Sequence, residues 1–160
     1  MTAQAQVSLP VSVILAKKLI SRGAWSVPSW RAIAVVAGDS LASADANGSL
    51  VREMDDEQHY LWGGLSLELF RDSAHSYWSN LVGNEPSLFV MCHEHEGGDV
   101  QPVSVTADAE DASAAIEGSD PVFAVSIPPE IYLQLERFVV EHHKPTPPRK
   151  RKRKTWSKQG

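Results

Sequence analysis

Tyr60-Leu61-Trp62-Gly63-Gly64-Leu65-Ser66-Leu67-Glu68-Leu69-Phe70 is the most informative stretch of the chain. Leu65, Leu67 and Leu69 fall on one face and Ser66 and Glu68 on the other, the period of two of a half-buried strand. Gly63-Gly64 predicts a bulge or bend just before that alternation. On the N-terminal side, Val7–Ile20 alternates at Val11, Val13 and Leu15 and reads as a buried strand, with Lys17 and Lys18 marking its arrival at solvent. Ser21-Arg22-Gly23 turns the chain, and the β-branched run Trp30–Ala37 supplies a second strand that stops at Gly38. Between Gly38 and Gln58 small residues, Asn47-Gly48 and the acidic run Glu53, Asp55, Asp56, Glu57 predict a long loop, or a hairpin turning at Asn47-Gly48.

On the C-terminal side, Arg71–Leu81 fits two patterns. Ala74, Tyr77, Trp78 and Leu81 share a helical face, whereas Tyr77, Ser79 and Leu81 alternate; the strand reading is adopted here. Ser87–His95, Pro102–Thr106 and Val122–Ile127 are further strands, separated by turns at Gly83–Pro86 and Gly97-Gly98. Thr106 or Asp108 can cap a short helix through Ile116, stopped by Gly118. Pro129 opens a last helix with Ile131, Leu135, Phe138, Val139 and His142 on one side, and Pro145 ends it. The expected class is therefore α+β: a mainly antiparallel sheet, half covered or partly closed into a barrel, with one short helix and a C-terminal capping helix.

Composition bounds this reading. The 160 residues, 42 % of them apolar, suffice for one domain with an ordinary core. A single cysteine, Cys92, excludes an internal disulfide framework and suits a reducing compartment. No apolar run approaches the roughly 20 residues of a membrane helix, and the N-terminus lacks a secretory pattern, so a cytoplasmic location is expected. The formal charge of −5 is unevenly distributed. From Lys144 onward there are eight basic residues and no acidic one, leaving 7 basic against 20 acidic, a charge of −13, over residues 1–143. Residues 7–143 thus read as one acidic globular domain and 144–160 as a disordered, proline-rich basic tail.

Four sets of residues are candidates for chemistry. Cys92, His93 and His95 carry zinc-ligand atoms, but on a strand Cys92 faces away from both histidines, and a solvated strand end explains them as well. Thiol catalysis by Cys92 lacks a partner, and serine-hydrolase, P-loop, dinucleotide and EF-hand patterns are absent, so neither enzymatic activity nor a cofactor is expected. Trp25, Trp30 and Trp62 can anchor a partner if exposed, or pack the core and close a barrel mouth. Arg149, Lys150, Arg151, Lys152, Arg153 and Lys154 with Trp156 can contact an acidic protein, anionic lipid or nucleic acid.

The sequence also resembles an uncharacterised bacterial family, a domain of unknown function often encoded beside formate dehydrogenase structural and maturation genes. The likeness is carried by Leu67-x-Leu69-Phe70-Arg71-Asp72, Tyr77-x-x-Asn80-Leu81, Pro86-x-x-Phe89-Val90 and Pro102-x-x-Val105-Thr106. It continues through Val122, Val125, Pro128-Pro129-Glu130-Ile131, Phe138-Val139, His142 and the basic C-terminus. Two departures stand out: Gln134 replaces a frequent aromatic, and His93-Glu94-His95 stands where basic residues are frequent. The resemblance implies no catalytic residues. It implies an accessory or assembly role beside a molybdenum- and iron–sulfur-dependent formate dehydrogenase, an inference from gene neighbourhood. The leading expectation is a non-catalytic binding protein whose partner is a formate dehydrogenase or one of its maturation factors. The alternatives are a nucleic-acid-associated regulator using the basic tail, and a small metal or redox carrier built on Cys92, His93 and His95.

Overall fold

Seven strands and three helices follow one another in a computed structural model that describes residues 4–38 and 48–143. β1 (Val7–Arg22) and β2 (Trp25–Ala37) form a long antiparallel hairpin, and β1 pairs on its other side with β4 (Glu57–Leu69). The short β3 (Ser49–Glu53) pairs with the first half of β4. β5 (Ser87–Glu94) lies between β6 (Val100–Thr106) and β7 (Val122–Ser126), antiparallel to both. A single parallel bridge, Leu67 to Val105, joins the two halves through β4 and β6. The resulting order is β2-β1-β4-β6-β5-β7, with β3 on β4. Its terminal strands, β2 and β7, come alongside each other without a backbone ladder, so the sheet curls into a nearly closed barrel. This is the expected α+β class.

The alternating faces explain the core. Val11, Val13, Leu15, Leu67, Leu69, Leu88, Val90, Cys92 and Val125 point inward and are buried. Opposite Gly63-Gly64 the β1–β4 register slips between Val11 and Val13, the irregularity the glycine pair predicts. The second strand begins five residues earlier than its apolar run, because Trp25–Ser29 pairs with Lys18–Arg22 and extends the hairpin.

One local expectation is corrected. Arg71–Leu81 is not a strand but a 3-10 turn (Arg71–Ser73) followed by α1 (Ala74–Leu81). The helical face wins because it buries Ala74 and Tyr77 together, and the Tyr77 hydroxyl accepts a hydrogen bond from the Phe70 amide at 2.9 Å. β3 and β4 are joined by a turn at the acidic run, where Met54 and Glu57 exchange backbone hydrogen bonds around Asp55-Asp56, while the expected loop or hairpin around Asn47-Gly48 falls largely outside the described residues. Aspartates favour such turns because their side chains bond locally to backbone. Residues 39–47 lie outside the described residues.

The helices sort the barrel into two ends. Where β4 and β6 finish and β5 begins, α1 and α3 (Pro129–His142) pack on each other. Ile131, Leu135, Phe138 and Val139 of α3 enter the core, and the Phe138 ring meets Tyr77 edge-on at 5.8 Å. Asn80 fastens this end: its amide donates to the Ser87 and Ala107 carbonyls and accepts from the Ser87 amide. α2 (Ala109–Glu117) is capped by the Asp108 carboxylate, which accepts from the Glu110 amide at 2.9 Å. It follows β6 and precedes β7, so it runs beside β5, β6 and β7 from the helix end to the opposite end.

Candidate functional site at the barrel mouth

The opposite end is built from the last residues of β1 and β5 and the first residues of β2, β4, β6 and β7. No helix covers it. Three inward-facing aromatic rings gather here, Trp30 from β2 and Tyr60 and Trp62 from β4, with centroids 6.1–6.3 Å apart and planes tilted by 44–55°. Tilted packing at this spacing suits ring quadrupoles better than a face-to-face stack. Trp62 is buried, and Gly48, at a φ of +74°, lies so close that a Cβ there would stand 2.8 Å from the indole.

The β5–β6 turn is strapped across this cluster. The Trp30 indole N–H donates to the Gly98 carbonyl at 3.0 Å, and Lys17 pairs with Asp99 at 2.7 Å. The Lys17 ammonium also stands 5.5 Å from the Trp30 ring centre, within cation–π range. Gly98, at a φ of +88°, seats against Pro28: a Cβ there would fall 2.8 Å from that ring. Any other residue would therefore lift the turn off β2.

Two concavities flank Trp30. One, of about 220 Å³, lies between Lys17, Tyr60, Trp62, Asp99 and Gln101. The other, of about 440 Å³, occupies the gap between β2 and β7 and is walled by Val27, Pro28, Phe123 and Pro121, with Glu94 at its edge. Beyond them the β1–β2 hairpin projects past the start of β4, which pairs no further along β1 than Lys18. This projection exposes Leu19, Ile20, Trp25 and Val27, and Trp25 is 77 % exposed. The three tryptophans therefore divide: Trp30 and Trp62 shape the mouth, and Trp25 is presented to solvent.

The candidate metal set does not assemble. The Cys92 side chain points into the core, where burial pushes its thiol up to about 12. A thiol held there is protonated at neutral pH, the form that is not nucleophilic. His93 is exposed near the end of β5, and His95, just past that end, lines the smaller concavity beside Gln101; their ring centres are 4.9 Å apart, and His95 Nε2 is 3.0 Å from Gln101 Oε1. Among the described residues no group of three or more histidine, cysteine, aspartate or glutamate side chains is placed to hold a metal ion. His142 packs on Phe138 and His143 stacks on Trp78, so neither joins His93 and His95. Arg149–Lys154 and Trp156 lie outside the described residues.

Lys17, Tyr60, Asp99 and Gln101 escape sequence reasoning. Lys17 and Asp99 are 82 positions apart and belong to no local motif, so only the barrel joins them. The traces of the mouth in the sequence are the tryptophans Trp30 and Trp62 and a lysine, Lys17, at a strand end.

Outward on the same sheet, Glu57 accepts from Arg31 at 2.9 Å and lies 3.1 Å from His59. The Arg31 hydrogen bond, then His59, holds the Glu57 carboxyl below its ordinary range. These contacts brace the base of the hairpin.

Fold and mouth define a class: an α+β, nearly closed barrel with a helix-covered end and an aromatic open end. The chain belongs to the family described as "Protein of unknown function (DUF3305)", which matches residues 10–154. No curated protein and no solved structure matches it. Among the described residues, no helix is long and apolar enough to cross a membrane.

Proposed function

We propose that the chain is a non-catalytic accessory protein that binds another polypeptide, and that this partner is a formate dehydrogenase or one of its maturation factors. The observation that carries the binding role is the projecting hairpin, which holds Leu19, Trp25 and Val27 in solvent on a two-stranded edge. Large apolar side chains on an unpaired sheet edge are costly to leave uncovered, and a partner removes that cost. The choice of partner is supported by the sequence resemblance through Leu67–Asp72, Tyr77–Leu81 and Pro128–Ile131. Cytoplasmic location follows from the same reading. A nucleic-acid role through Arg149–Lys154 is disfavoured by the −13 charge of residues 1–143, which repels a polyanion.

The test is affinity capture from the native host, with retained proteins identified by mass spectrometry, using wild type and a Trp25→Ser/Val27→Ser variant. The expected result is retention of a formate dehydrogenase subunit or maturation factor by wild type and its loss in the variant. Absence of any such component overturns the partner, and equal capture by both proteins overturns the hairpin. Sub-micromolar, salt-sensitive binding of a DNA or RNA oligomer would replace this reading with the nucleic-acid one.

A further inference from the structure

The groove between β2 and β7 has a chemistry that the chain itself can satisfy. Val27, Pro28, Pro121 and Phe123 offer apolar walls of a size to take a large flat side chain, and Glu94 offers a negative edge. Residues 144–160 contain one large apolar side chain, Trp156, which follows the six consecutive cations Arg149–Lys154. A route between tail and groove is laid down by α2. Its exposed carboxylates Glu110 and Asp111 stand at the helix end, and Glu117 and Asp120 stand where α2 leads into β7, beside the groove. None of these four, nor Glu94, has a cationic partner among the described residues. Glu117 sits in the last turn of α2, which carries no basic residue, although the negative end of a helix favours a cation.

The tail starts in the right place. His143, the last described residue, stacks on Trp78 at 5.2 Å and thereby fixes the chain's exit against α1, which in turn touches α2. From there the groove is one barrel length away. The eight residues of β5 measure about 26 Å at about 3.3 Å per residue. The 13 residues from Lys144 to Trp156 reach up to about 43 Å when extended. Only the far part of the tail reaches the groove, and that is where its tryptophan lies.

We infer that the C-terminal segment is an intramolecular ligand: Arg149–Lys154 run along the carboxylates of α2, and Trp156 seats in the β2–β7 groove. The +8 of the tail thereby meets the −13 of the body. A partner that uses the mouth must first displace it. This goes beyond the binding role proposed above and does not depend on which partner is bound.

Trypsin cleavage at Arg149–Lys154 in the full chain, followed by mass spectrometry, tests the inference against a synthetic peptide of residues 144–160. A docked tail is cleaved only from its open state, so about fivefold slower cleavage than in the peptide is expected. Trp156→Ala and Glu94→Lys should each restore most of the peptide's rate, and so should 0.5 M salt, which screens exposed charges within about 4 Å. Glu94 is exposed, so its variant should melt as wild type does, and melting is measured alongside. Equal rates in the full chain and the peptide would overturn the inference. So would protection that both variants leave intact, because the groove is then not the seat. Protection that rises with protein concentration would assign the contact to a second copy and overturn the intramolecular form.

Discussion

The two ends of the barrel are closed by different physics. At the helix end, Tyr77, Leu135 and Phe138 are nearly inaccessible, and polar groups there are matched by designated partners such as Asn80 and the Tyr77 hydroxyl. At the mouth, the Trp30 and Tyr60 rings remain partly open, and among the described residues closure draws on the Trp30 indole hydrogen bond, the Lys17–Asp99 ion pair and the seating of Gly98 on Pro28. Apolar burial is worth about 25 cal/mol per Å², whereas an exposed ion pair contributes about 0–1 kcal/mol. Stability is therefore concentrated at the helix end, and the mouth is the end able to open for a ligand or partner.

The strongest challenge to this contrast is Phe138→Ala. It deletes a buried ring that touches Tyr77, and a loss of about 3–5 kcal/mol is expected from urea denaturation. A change under 1 kcal/mol would show that α3 is peripheral. Next is Asn80→Ala, which strands the Ser87 amide and two carbonyls at once. Its expected cost is about 1–3 kcal/mol, the penalty of leaving a buried polar group unpaired. At the mouth, Trp30→Phe keeps a ring but removes the donor to Gly98, for about 0.5–1.5 kcal/mol. Amide exchange at Gly97–Val100 should rise in that variant while exchange in α1 and α3 stays unchanged. Faster exchange throughout the molecule would mean that the two ends are one cooperative unit.

The smallest effect concerns the hairpin base. Because Arg31 and His59 hold the Glu57 carboxyl below its ordinary range, ionised Glu57 favours the folded state. That contribution is complete above the unfolded carboxylate pKa and is lost as pH falls through the lower folded value. Melting temperatures of wild type and Glu57→Gln should therefore differ at pH 7 and converge under acid conditions. A constant difference across that range would remove Glu57 from the pH response.

Most elements were legible because their signals are local. The alternation in Leu65–Leu69, the proline and i, i+4, i+7 spacing of α3, and the Asp108 cap each depend on a few adjacent residues. Where two local patterns overlapped, as in Arg71–Leu81, sequence had no means of weighing them; burial of Ala74 and Tyr77 did. The turn at Asp55-Asp56 was hidden for a similar reason. An acidic run reads as solvated loop until β3 and β4 are seen to pair across it. The mouth was the least legible part, since Lys17, Trp30, Tyr60 and Asp99 come from four separate segments.

By itself the sequence determined the α+β class, the inward faces of the strands, the C-terminal helix and the division into an acidic body and a basic end. Each of these follows from periodicity, caps or charge counting along the chain, where neighbours in sequence are neighbours in space. Only the tertiary structure decided that the sheet curls until β2 meets β7, that helices cover one end and aromatics the other, and that Trp25 is presented while Trp30 and Trp62 are enclosed. Those outcomes depend on one parallel bridge between β4 and β6 and on contacts across some 80 residues. Their energies come from surfaces that exist only once distant strands have met.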